Sequence, residues 1–109
     1  MDKGTALAYA RQYATEVVRE LKPEKIVLYG SYAEDRASED SDIDVAVIFN
    51  DFDGDFLRVS SWLWNLTWKV SSYIEPILLD MASDGSGFAA EIIKTGELIY
   101  EEKKTIEIT

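Results

Sequence analysis

At 109 residues, 47% of them hydrophobic and 12% aromatic, the chain suffices for one core but not two, which predicts a single folded domain over 1–109 rather than a disordered chain. Charge is the outlier: 21 acidic against 11 basic residues and no histidine give a formal net charge of −10. Such a surface repels nucleic-acid phosphates, and the lack of cysteine and histidine removes disulfides, a thiolate nucleophile, the usual zinc ligands and the commonest general base. With no long apolar run and no signal pattern at Met1, the expectation is a cytoplasmic protein without membrane contact.

From about Thr5 to Lys22 the apolar residues Leu7, Ala10, Ala14, Val17, Val18 and Leu21 recur at three- and four-residue steps, which predicts a helix with one apolar stripe. Thr5 is the expected N-cap and Pro23 the stop, while Tyr9 and Tyr13 fall off the stripe and are expected on the surface. Ile26 to Tyr29 reads as a short apolar strand, followed by a Gly30-Ser31 turn and an acidic loop. Glycine lets an anion approach the backbone, and a helix start after such a turn would attract phosphate. The next strand carries Asp42 and Asp44 on alternate residues, so two carboxylates aim at one spot. Carboxylates that close repel unless a cation lies between them, and oxygen ligands of this kind suit Mg²⁺.

Beyond Phe49, residues 50–54 form a turn with Asp53 as expected N-cap of a helix from Asp55 to about Ser71. Phe56, Val59, Leu63, Leu66 and Val70 are its expected inward face. Leu57, Trp64 and Trp68 make a second apolar stripe, which is either an interface with a partner or another copy, or a face covered by a terminal segment. Tyr73 to Asp80 predicts a third strand, at an edge or a bulge because of Pro76, with Glu75 and Asp80 on opposite faces. A short helix over Ser86–Thr95 with Phe88, Ile92 and Ile93 inward, a Gly96 cap, a last strand at 97–100 and a tail alternating Ile106 and Ile108 complete the chain. The predicted fold is α/β (α+β): a small mixed sheet of three to five strands with helices packed on it.

The run GSYAEDRASEDSDIDVAV (residues 30–47), a Gly-Ser between apolar strands followed by Asp-x-Asp, resembles the signature of the nucleotidyltransferase superfamily shared with DNA polymerase beta, and in particular its minimal nucleotidyltransferase (MNT) branch. The resemblance implies two Mg²⁺ ions held by Asp42, Asp44 and a third carboxylate on the next strand. Glu75 is the best match to that carboxylate and Asp80 the competitor. It also implies a triphosphate, ATP or another NTP, held by Gly30 and Ser31. Relatives often carry a basic residue and then glycine soon after the Ser31 equivalent. This chain has Glu34 and Asp35 instead, which leaves Arg36 as the substitute phosphate contact.

The implied reaction is transfer of a nucleoside monophosphate, most simply AMP, to an acceptor hydroxyl. The family resemblance further implies an antitoxin role, with the acceptor on a HEPN-type toxin protein. Two alternatives stay open: an antitoxin that works by contact alone, and a nucleotidyltransferase for a small-molecule acceptor.

Overall fold

The computed structural model describes residues 1–103. Its elements in chain order are α1 (Lys3–Glu20), β1 (Lys25–Tyr29), β2 (Ile43–Phe49), α2 (Phe56–Leu66), β3 (Ile74–Asp80), α3 (Phe88–Thr95) and β4 (Glu97–Glu101), with one-turn 3₁₀ helices at Thr67–Lys69 and Met81–Ser83. The strands form one mixed sheet in the order β3-β2-β1-β4. β1 is antiparallel to both β2 and β4, and β2 is parallel to β3. Among the described residues no helix is long and apolar enough to cross a membrane.

The alternation of each strand sorts its side chains onto two layers. Ile26, Leu28, Ile43, Val45, Val47, Ile74 and Leu78 face α1 and α2, where they join Ala10, Tyr13, Val17, Leu63 and Leu66 in the larger core. Val27, Ala46 and Ile48 point the other way and are covered by Ile92 of α3. Each fully buried Ile, Leu or Val contributes about 1.5–3 kcal/mol, whereas the five ion pairs among the described residues are at the surface and are worth about 0–1 kcal/mol each. Apolar burial therefore decides the fold. β3 is an edge strand, the first of the two placements open to Pro76, and Gly96 is needed where the chain enters β4, since a Cβ there would collide with Val27 and the Leu28 carbonyl.

Several local expectations need correcting. The N-cap of α1 is Asp2, whose Oδ1 accepts from the Thr5 N–H at 2.7 Å, because a carboxylate three residues ahead reaches that amide directly. Tyr13 is fully buried rather than exposed: α2 packs beside α1, which widens the apolar stripe, and the Tyr13 hydroxyl donates to the Leu63 carbonyl at 2.7 Å. Asp55, not Asp53, caps α2, and α2 tightens into a 3₁₀ turn after Leu66 instead of continuing to Ser71. α3 begins only at Phe88, after Gly87 in the left-handed region. Phe56 and Phe88, expected inward, are half-exposed at the first residue of their helices, where Phe56 packs on Phe52 and Phe88 on Tyr29. The expected tail strand with Ile106 and Ile108 lies outside the described residues.

Candidate functional site

The C-terminal end of β1 meets the N-terminal ends of β2 and β3 along one margin of the sheet. There the register sets Tyr29 opposite Asp44 and Asp44 beside Glu75, a row across three adjacent strands on the side that α3 covers only in part. Neighbouring strands lie about 4.8 Å apart, so the two carboxylates of the row stand within reach of each other. Asp42, two residues before Asp44, lies just ahead of β2 and is exposed; Asp44 is half-buried and Glu75 exposed. The margin is pinned by the Ile43 N–H donating to the Tyr73 carbonyl at 2.8 Å.

Gly30 ends β1 with φ +75°, and a Cβ there would run into the Asp44 carboxylate. Only glycine meets both demands, the left-handed backbone and the close approach. The segment after it is not a helix start. Residues 31–35 make a single turn, closed by Glu34 N–H to Gly30 O (3.1 Å) and Arg36 N–H to Ser31 O (3.0 Å). Tyr32 anchors the turn by burying its ring in the main core, and Asp35 leaves it at φ +57°. Lys3 holds the turn from outside, with its Nζ 3.2 Å from Asp35 and 3.1 Å from Glu97.

The electrostatics are those of crowded negative charge. Burial, and then the charge of Asp42, push the Asp44 carboxyl above its ordinary value, while Arg36 pulls it back. Glu75 is also raised, first by desolvation, then by the charge of Asp42 and a hydrogen bond with it, then by Asp44. Tyr29 is pushed up to about 12 by burial and by the charges of Asp44 and Glu75. Arg36 does not cancel this field, because its guanidinium is bonded to Glu34 at 2.8 Å.

Asp80 stands elsewhere. Its Oδ1 accepts from the Phe52 and Ala82 N–H groups, each at 3.1 Å, and its Oδ2 from the Ser83 hydroxyl at 3.2 Å, so it ties loop 50–55 to the end of β3. Tyr29 is the neighbour that sequence reasoning passed over. Its signal was parity: it is the last residue of β1, on the same side as the Asp44 it pairs with. Phe88 of α3 meets its ring edge to face, with centroids 6.2 Å apart.

Among the described residues, no three Asp, Glu, His or Cys side chains are pre-arranged to close on one metal ion. Mg²⁺ does not require such a cage, since one or two carboxylates and substrate phosphates suffice. Two hard-oxygen donors whose charge Arg36 offsets only in part fit it. A groove of about 290 Å³ lined by Glu16, Arg19, Trp62 and Lys69 lies between α1 and α2, on the opposite side of the sheet from this row.

The fold matches solved structures across nearly its whole length. A Sulfolobus solfataricus protein assigned as a nucleotidyltransferase superposes with a TM-score of 0.69 at 18% identity, covering 98% of this chain and 90% of that one. A toxin–antitoxin complex with AMP-PNP gives 0.60 at 22% identity, and a mutant MntA–HpeT toxin–antitoxin gives 0.55 at 18%, each covering 85% of this chain and 74% of the other. No curated protein matches the chain in sequence. Residues 12–105, which span β1, the Gly-Ser turn, the Asp-x-Asp strand and everything up to β4, match the family Polymerase beta, Nucleotidyltransferase, and the chain belongs to that family.

Proposed function

We propose that this chain is a minimal nucleotidyltransferase that moves AMP from Mg²⁺-bound ATP to a hydroxyl on a protein partner, in the manner of an antitoxin acting on a HEPN-type toxin. One arrangement supports this reading above all: Gly30 is pressed against Asp44 while Asp44 and Glu75 stand side by side. A glycine turn thus adjoins carboxylates whose crowded negative charge Arg36 offsets only in part. A protein as acceptor is supported by the net charge of −10, which disfavours nucleic acid, and by the likeness of the fold to two toxin–antitoxin structures.

Asp42 and Asp44 hold the metal in this reading, with Glu75 as the third carboxylate. When bound, Mg²⁺ neutralises phosphate charge and lowers the pKa of the acceptor hydroxyl. Gly30 and Ser31 position the triphosphate through backbone N–H groups and the Ser31 hydroxyl, and Arg36 supplies the nearby positive charge. The acceptor oxygen bonds to the α-phosphorus, the bond from that phosphorus to the bridging oxygen breaks, and pyrophosphate leaves. Glu75 takes the hydroxyl proton, a role suited to a carboxylate whose affinity for protons is raised by its neighbours.

Calorimetric titration of ATP, with and without Mg²⁺, tests the site. Binding that requires Mg²⁺ and disappears in Asp44→Asn is the expected result; binding indifferent to both removes the assignment. One observation favours a second reading, in which the chain neutralises its partner by contact alone. The cation nearest the carboxylates, Arg36, is already occupied by Glu34. Asp42→Ala combined with Asp44→Ala separates the two: loss of neutralisation of a co-expressed toxin supports catalysis, and full neutralisation supports contact.

A further inference from the structure

The outward face of α2 has no cover among the described residues. Leu57 is 78% exposed, Trp64 49% and Trp68 85%. They lie opposite Leu63 and Leu66, which are buried on the sheet. Half-exposed Phe56 and Trp64 also line a groove of about 130 Å³ against Pro76 and Leu78 of the edge strand β3. At the usual size of such side chains the exposed apolar surface is on the order of 500 Å². That is large for a lone monomer and approaches the ~800 Å² per partner of a stable interface.

Two features of this face say what covers it. The first is charge: from Phe56 through Ile74 there is no Asp or Glu, only Arg58 and Lys69, in a chain with 21 acidic residues. An acidic molecule, a second copy of this chain included, meets no Asp or Glu along this stretch. The second is spacing. Leu57, Ser61 and Trp64 on α2, and Trp68 in the 3₁₀ turn that continues it, follow one another at steps of four, three and four, the spacing of a paired-helix seam. The steps read the same in both directions. A two-fold axis midway along the seam therefore sets Leu57 against the partner subunit's Trp68, and Ser61 against the partner subunit's Trp64, small under large.

From this we infer that the outward face of α2 is a self-complementary interface, through which two copies of the chain pair with their α2 helices antiparallel. The inference is independent of the proposed transfer chemistry. A two-fold contact uses the same patch on both copies, and this patch satisfies that requirement without bringing carboxylates together.

Sedimentation equilibrium of the whole chain across roughly 1–100 µM is the test, a range in which an interface of this size associates measurably. The wild type is expected as a monomer–dimer mixture that shifts towards dimer as salt screens the mutual repulsion. Leu57→Glu and Trp68→Lys, both at exposed positions, should each weaken pairing about tenfold or more, since charge replaces an apolar anchor. Mixing the two variants should restore it, because the new Glu and Lys then face each other across the axis. A wild type that stays monomeric, or single variants that pair as tightly as wild type, overturns the inference. So does a mixture that pairs no better than its components.

Discussion

Asp44 is the residue on which the candidate site turns. It is held half-buried between Tyr29 and Glu75, and its carboxylate occupies the space that any side chain at position 30 would need. Its raised pKa means that folding makes its ionisation harder. For a group raised in the folded state, the stabilising contribution is full below the ordinary carboxylate value of 3.8 and is lost as pH rises through the folded value. At neutral pH the charged Asp44 is therefore a liability to stability that its chemistry requires. In magnesium-free buffer at pH 7, Asp44→Asn should be more stable than wild type in thermal unfolding, by about 1 kcal/mol or less given partial solvent screening. The difference should vanish near pH 3, and a destabilised variant at pH 7 would contradict the electrostatic account. Glu75 shares the direction, and in both the causes are desolvation first and the charge of neighbouring carboxylates second.

At the scale of elements, α1 and α2 make one layer, and the bond from the Tyr13 hydroxyl to the Leu63 carbonyl joins them inside it. Burial pushes the Tyr13 phenol well above its ordinary value, which keeps it a neutral donor. Tyr13→Phe keeps the ring and removes the bond, so denaturant unfolding should register a loss of about 1 kcal/mol with the slope unchanged. A loss near zero would mean that the ring alone makes this contact. The helical stripe of α1 was legible from its spacing, but its width was not. Periodicity gives the centre of a buried face, and only a second helix alongside determines how far round the burial extends. The same limit applies to α2. Its sheet-facing residues Leu63 and Leu66 and the outward Leu57, Trp64 and, just past its end, Trp68 separate cleanly in the sequence, whereas the half-exposure of Phe56 on the expected inward arc does not show there.

For the whole molecule the dominant fact is the net charge of −10 on 109 residues. Mutual repulsion within a compact acidic globule opposes folding, and salt screens it. Adding monovalent salt from low ionic strength should therefore raise the thermal midpoint by several degrees, whereas stability dominated by the surface ion pairs would fall. The exposure of those pairs makes the first outcome the expected one. The same excess of carboxylates is absent from residues 56–74, so an acidic neighbour is tolerated on the outward face of α2.

The sequence by itself determined the alternation of the strands, the Gly30-Ser31 turn, the Asp42-x-Asp44 pair, the exclusion of the proline-bearing strand from a regular mid-sheet place and the two faces of α2. All of these follow from local periods or from the backbone limits of glycine and proline. Tertiary structure decided what depends on which strands meet. Parallel pairing of β2 with β3 set Glu75 beside Asp44 and left Asp80 on the other face, bonded to a loop. Antiparallel pairing of β1 with β2 brought Tyr29 into the same row. Strand register is a non-local choice made by the summed burial of two cores, and no short stretch of chain contains it.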